Sequence, residues 1–270
     1  MKTNTIVGKR TEEFGVQAPM NQPYIGVTAF MNHNQVMQAL SYMPPNSNRK
    51  LMVGVLASST TLLGEPNKLP GRFPPIHTIG DIFADHALAF NVVHYATRDR
   101  ETLLNQLGEI VSLAPDLIHG IQLNIVWPDP EVVAVFKQSF PNIKLILQVG
   151  PKAFEEANRS KDEIYAKFKP YEGTIDYVLL DDSGGYGKEM DPSFLLWLIR
   201  KLKAKKYAVN IVVAGGLSPS NLKLIEPIVE EVPDVSIDAE GNLRNDHKNC
   251  LDMNLVRQYL TAAPEYLVFP

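Results

Sequence analysis

The feature that most constrains this chain is a strand-then-helix alternation repeated about eight times without a break in composition. Short apolar runs predict strands at Tyr24–Phe30, Leu51–Ala57, Phe90–Tyr95, Gly120–Val126, Lys144–Val149, Tyr177–Leu180, Ala208–Ala214 and Asp234–Asp238. Such runs, bounded by turn residues, suit strands covered on both faces. Helical patterns fall between them, at Asn34–Tyr42, Ile79–Leu88, Asp99–Leu113, Glu131–Ser139, Ala153–Phe168, Pro192–Lys205 and Ser220–Val229, with a last one near Asn254–Thr261. The fourth to sixth of these lead into strands five to seven. Asp99–Leu113 places Leu103, Leu104, Leu107, Ile110 and Val111 on one face, and Pro192–Lys205 does the same with Leu195, Leu196, Leu198, Ile199 and Leu202. Alternation of this kind requires a parallel sheet. Eight units favour closure into a (β/α)8 barrel over an open doubly wound sheet.

With 270 residues and no internal linker, one barrel domain over residues 23–270 is expected, preceded by an extension over 1–22. The long Pro- and Gly-rich stretch Ser58–Ile76 is expected to be functional or mobile. Twenty-six basic against thirty acidic residues argue against a general nucleic-acid partner. Cys250 is the single cysteine, so an intramolecular disulfide and a cysteine-rich metal site are both excluded. No apolar run approaches the roughly 18 residues that span a membrane, and Met1–Pro23 has no apolar signal-peptide core. A cytoplasmic location without a membrane partner is the expectation, and a homodimer is left open.

The strongest functional signal is Tyr177–Asp191, Y-V-L-L-D-D-S-G-G-Y-G-K-E-M-D. A buried strand here ends in Asp181 and Asp182, followed by a glycine loop that includes Gly184, Gly185 and Lys188, and then by a helix opening at Asp191-Pro192. Carboxylates where a barrel strand meets its loop are placed for chemistry, and glycines let backbone N–H groups approach an anion. Strand seven runs into Gly215-Gly216 and a capped helix, and strand eight into Asp238, Glu240 and Gly241. Loops after strands seven and eight of such barrels frequently hold a phosphate. The alternative reading of the glycines is tight turns alone.

The order of these motifs resembles phosphoribosylanthranilate isomerase, the barrel enzyme of tryptophan biosynthesis. The likeness runs from Gly120 to about Leu260, through I-Q-L-N at 121–124, F-P-N-I-K at 140–144, L-L-D and G-G-Y-G-K-E-M-D within 179–191, and A-G-G-L-S-P-S-N at 214–221. Before Gly120 it rests on Y-I-G-V-T at 24–28 and G-R-F-P at 71–74. The resemblance implies a (β/α)8 barrel of the ribulose-phosphate-binding type. The implied reaction is an Amadori rearrangement of a phosphorylated aminosugar, without a cofactor or metal. It makes Asp181 the general base, places Gly215 and Gly216 in the phosphate loop, and puts Arg72 on the substrate's carboxylate.

Two departures accompany the resemblance. The family's strand-one cysteine, its general acid, is absent from Y-I-G-V-T, and Cys250 lies too far along the chain to replace it. Losing a general acid costs a factor of about 10²–10⁴ in rate. The final loop carries Asp238 and Glu240, two carboxylates that repel a phosphate unless a cation or Lys188 intervenes. Asn124 also stands where the family usually has histidine. The expected partner is an anionic small molecule, contacted by Arg72, Asn124, Asp182 and the three loops. His94, Asp238 and Glu240 form a weaker alternative as metal ligands. A barrel with a changed substrate and a non-catalytic ligand-binding homologue are the other readings.

Overall fold

The computed structural model of the chain describes residues 21–183, 189–245 and 250–267. The expected extension over residues 1–22 lies outside these, apart from its last two positions. Among the described residues, eight parallel strands close into a barrel in sequence order. They are β1 Tyr24–Thr28, β2 Lys50–Ser58, β3 Ala89–Ala96, β4 Gly120–Leu123, β5 Lys144–Val149, β6 Tyr177–Asp181, β7 Asn210–Ala214 and β8 Ser236–Ala239. Closure is made by β1 against β8, with Ile25 beside Ile237, Gly26 beside Asp238 and Val27 beside Ala239.

The helical layer comprises α1 His33–Leu40, α2 Ser59–Leu62, α3 Ile79–Ile82, α4 Leu103–Ser112, α5 Pro130–Ser139, α6 Pro151–Glu156, α7 Lys161–Phe168, α8 Pro192–Ala204, α9 Glu226–Glu231 and α10 Met253–Tyr266. Local chemistry sets several of their starts. Asp129 precedes Pro130 and accepts from the Glu131 N–H. Asp191 precedes Pro192 and accepts from Ser193 and Phe194. Asp252 accepts from Asn254 and Leu255. In each case a side-chain oxygen satisfies N–H groups that lack partners within the helix.

Three expected helices are corrected. The 153–168 pattern is split in two by Asn158 and Arg159, both in the left-handed region at φ 50°. The 79–88 pattern yields only the single turn of α3. Its continuation is extended at Phe83, whose carbonyl meets His33, while the Ala84 carbonyl accepts from Asn91. Side chains from neighbouring elements thus take the backbone groups that a helix would use. The 220–229 pattern begins as a 3-10 turn, Leu222–Ile225, before α9.

Apolar residues divide into two sets. One lies between strands and helices and includes Val36, Leu107, Phe136, Phe154, Phe168, Leu198 and Tyr259. The other fills the barrel interior. At its N-terminal end Phe90 lies 5.6 Å from the Tyr24 ring and 5.9 Å from the Tyr177 ring. Met52, Val92, Ile146, Leu179 and Val212 continue this filling. The barrel is therefore a packed core with a polar mouth above it. Phe90→Ala is expected to lower unfolding stability by about 3–5 kcal/mol. Val135→Ala, on an exposed face of α5, is expected to change it by less than about 0.5 kcal/mol, both measured by urea denaturation.

Candidate active site

The C-terminal ends of the strands surround a cavity of about 990 Å³. Its wall includes Arg72, Asn124, Asp181, Gly215, Gly216, Asp238, Glu240 and Gly241, so eight of the expected site residues meet in one place. Asp182 does not line it. Its carboxylate turns to Arg159, 2.9 Å away, and the same guanidinium lies 4.2 Å from the Phe194 ring centre. The break between α6 and α7 is what brings Arg159 there. Gly184, Gly185 and Lys188 lie outside the described residues.

Asp181 ends β6 and is buried. One carboxylate oxygen accepts from the Ser183 N–H at 2.9 Å and the Ser183 hydroxyl at 2.7 Å; the other accepts from Gln148 at 3.3 Å. Gln148 in turn accepts from the Gln122 amide at 3.1 Å. These donors orient a carboxylate toward the cavity in the manner of a positioned base.

Asp238 sits across the mouth in a different setting. Thr28 donates to its two oxygens at 3.1 and 3.3 Å, and His94 approaches the same hydroxyl at 3.4 Å. Two strand glycines make this cluster possible. A Cβ at Gly26 would lie 2.7 Å from the Asp238 Oδ1, and one at Gly54 would lie 2.6 Å from the Thr28 Oγ1. Burial pushes the Asp238 carboxyl up to about 8, opposed by the Thr28 hydrogen bond and reinforced by Glu240 and Asp181. Burial also pulls the His94 imidazole down to about 3, so it is neutral near pH 7. Directly after Thr28, Ala29 takes φ 81°, a conformation that costs a non-glycine residue on the order of 1 kcal/mol or more.

The acidic final loop is less repulsive than its sequence suggests. Glu240 accepts from the buried Arg244 at 2.5 Å and lies 3.9 Å from Arg72. Arg72 reaches the rim from the stretch after β2, together with Leu69 and Phe73. The glycine pair has a packing role of its own: Gly215 takes φ 137°, and a Cβ there would lie 2.8 Å from that of Met190. The helix expected behind the pair opens as the 3-10 turn Leu222–Ile225 without a side-chain cap, and is preceded by a loop. Asn221 holds it by accepting from the Ser218 N–H and donating to the Gly216 carbonyl, to which Asn242 also donates.

Among the described residues no group of three or more His, Cys, Asp or Glu side chains is arranged to hold a metal ion, and no helix is long and apolar enough to cross a membrane. His94 lines the cavity, and Thr28, Gln148 and Ser183 join the site although they are not among the residues that the sequence singles out. Their only prior signal was position at or just beyond a strand's C-terminal end.

Fold and cavity together define a (β/α)8 barrel with two buried carboxyl groups in its mouth. No family model matches the chain. Over 114 residues it is 30% identical to the N-(5'-phosphoribosyl)anthranilate isomerase of Pyrococcus abyssi, covering 42% of this chain and 48% of that one. Over 110 residues it is 26% identical to the protein of the same name from Methanococcus aeolicus, covering 41% and 47%. The chain thus spans about half the length of the curated relatives it matches. Among solved structures, tryptophan synthase subunit alpha from Legionella pneumophila gives a TM-score of 0.54 at 10% identity, over 91% of this chain and 92% of that one. The catalytic domain of a hyperthermophilic chitinase from Pyrococcus furiosus gives 0.54 at 10% identity, over 94% and 100%. At such identity these likenesses establish the barrel and leave the reaction to the site.

The two shifted groups predict opposite pH dependences of stability. A carboxyl raised to about 8 keeps in the native state a proton that the unfolded chain releases above about pH 4, so its contribution is lost as pH rises toward 8. A histidine lowered to about 3 adds stability as pH rises to about 6.5 and nothing beyond. Between pH 6.5 and 8, Asp238→Asn is expected to remove a decline of up to about 1.4 kcal/mol per pH unit. Denaturant unfolding of both proteins across that window checks it.

Proposed function

We propose that this chain is an isomerase of the phosphoribosylanthranilate isomerase type, converting a phosphorylated aminoaldose to the aminoketose by an Amadori rearrangement. The observation that carries the reading is Asp181, which ends β6 in the cavity with its carboxylate fixed by Ser183 and Gln148. The partial likeness to two proteins of that name supports the same reaction class. In this reading the open-chain imine of the sugar lies in the cavity, and Asp181 removes the proton at C2. Arg72 attracts the anionic end of the substrate, and the loops bearing Gly215, Gly216 and Gly241 surround its phosphate. The location is taken as cytoplasmic, with no nucleic acid or membrane partner.

A second reading is a barrel of the same build acting on a different small anion. It is favoured by Glu240, whose carboxylate occupies the final loop and pairs with both Arg244 and Arg72. Substrate screening separates the two.

The first reading is tested by turnover of phosphoribosylanthranilate, followed as loss of substrate fluorescence. Asp181→Asn is expected to lower kcat by a factor of about 10²–10⁴, as removal of a positioned base does. Wild-type protein that turns over no faster than this variant would contradict the assignment.

A further inference from the structure

The β1–β8 seam holds a second carboxyl group in the same cavity, and its position is unusual. Asp238 is level with Gly26 on the neighbouring strand. A side chain at Gly26 would begin 2.7 Å from the Asp238 Oδ1 and 3.1 Å from its Cβ. The carboxyl group of β8, with the Met52 methyl 2.8 Å away on the other side, therefore fills the space that a β1 side chain would occupy.

We propose that Asp238 is the proton donor of this site, working opposite Asp181 as the acceptor. The inference rests on the isomerase reading above and adds to it the group that opens the sugar ring. Two carboxyl groups facing one cavity divide into acid and base when their surroundings differ. Here Asp181 is bound by the Ser183 N–H and hydroxyl and the Gln148 amide, and Asp238 by the Thr28 hydroxyl. The other titratable groups acting on Asp238 all oppose its ionisation or leave it alone. Asp181 and Glu240 raise it, His94 is neutral beside Thr28, and Tyr24 and Tyr259 are buried phenols held protonated.

The proton balance closes. Asp238 protonates the ring oxygen as the C1–O bond breaks, and the nitrogen lone pair forms the C1=N iminium. Asp181 takes the C2 proton, and that electron pair becomes the C1=C2 bond of the enolamine while nitrogen recovers its lone pair. The proton on Asp181 passes to C1 and the enol proton to Asp238, which gives the ketone and restores both groups. No co-reactant is needed.

The test moves the acid from β8 to β1. Asp238→Asn is expected to lower kcat on phosphoribosylanthranilate by a factor of about 10²–10⁴ with KM little changed. Wild-type kcat/KM should fall above a pH of about 8, and that limb should vanish in the variant. Asp238→Ala should be as slow, and Gly26→Cys added to it should recover about tenfold or more in rate, because the 2.7 Å contact with the carboxylate is then gone and the flexible Met52 methyl at 2.8 Å can move aside. Gly26→Cys alone should be impaired, since its side chain collides with Asp238. Thermal unfolding of Asp238→Asn at neutral pH, expected to be no lower than wild type, separates loss of chemistry from loss of fold. Asp238→Asn turning over at the wild-type rate with the same alkaline limb overturns the assignment and leaves the isomerase reading standing. Wild-type protein no faster than Asp181→Asn removes that reading and this assignment with it.

Discussion

The Asp238 side of this barrel's mouth, and with it the closed shape of the sheet, depends on the pairing of β1 with β8. Until the sheet closes, Asp238 and Gly26 belong to opposite ends of the chain; once it closes they are neighbours in register. Closure also carries Thr28, which His94 approaches from β3, to Asp238. The cost of joining distant segments grows only slowly with loop length. It is met here by continuous strand pairing around the sheet and by the apolar filling beneath the mouth. Arg49 reinforces the seam from below, donating to the carbonyls of Val235 and Pro233.

The electrostatics of the mouth follow from who donates to whom. Ser183 and Gln148 serve Asp181, Thr28 serves Asp238, and guanidinium groups face Glu240 and Asp182. Three of these four carboxyl groups line one cavity, and each has a different means of avoiding the others' repulsion. Asp238 avoids it by keeping its proton, which burial favours. Such an arrangement lowers stability at neutral pH relative to an uncharged isostere, a cost commonly found where a site is built for chemistry.

The barrel was readable because its signal is local. Each apolar run and each amphipathic stretch announces itself within a dozen residues, and repetition fixes the class. The place of Asp181 at a strand end is readable for the same reason, since it closes an apolar run whose loop is rich in glycine. The Thr28–His94–Asp238 cluster was not, because three strands far apart in sequence contribute to it and only closure sets their contact. Asp238 and Glu240 looked like a repulsive pair from spacing alone; burial of one and the arginines around the other change that. Asp182, adjacent to Asp181, was grouped with it, yet successive residues along an extended strand project to opposite sides, and Asp182 meets Arg159 in the outer layer. Helix boundaries were lost where side chains such as Asn91 and Asn221 capture backbone groups.

The most direct test of this account is the titration of Asp238 in the folded protein without any substrate. Aspartate labelled with carbon-13 at the side-chain carboxyl would be followed by NMR across pH, beside Asp238→Asn for assignment. A protonated Asp238 gives one aspartate resonance that titrates near pH 8 and is missing from the variant. If every aspartate resonance completed its titration in the ordinary range around pH 4, Asp238 would be a carboxylate at neutral pH, and its place as the proton donor would be contradicted.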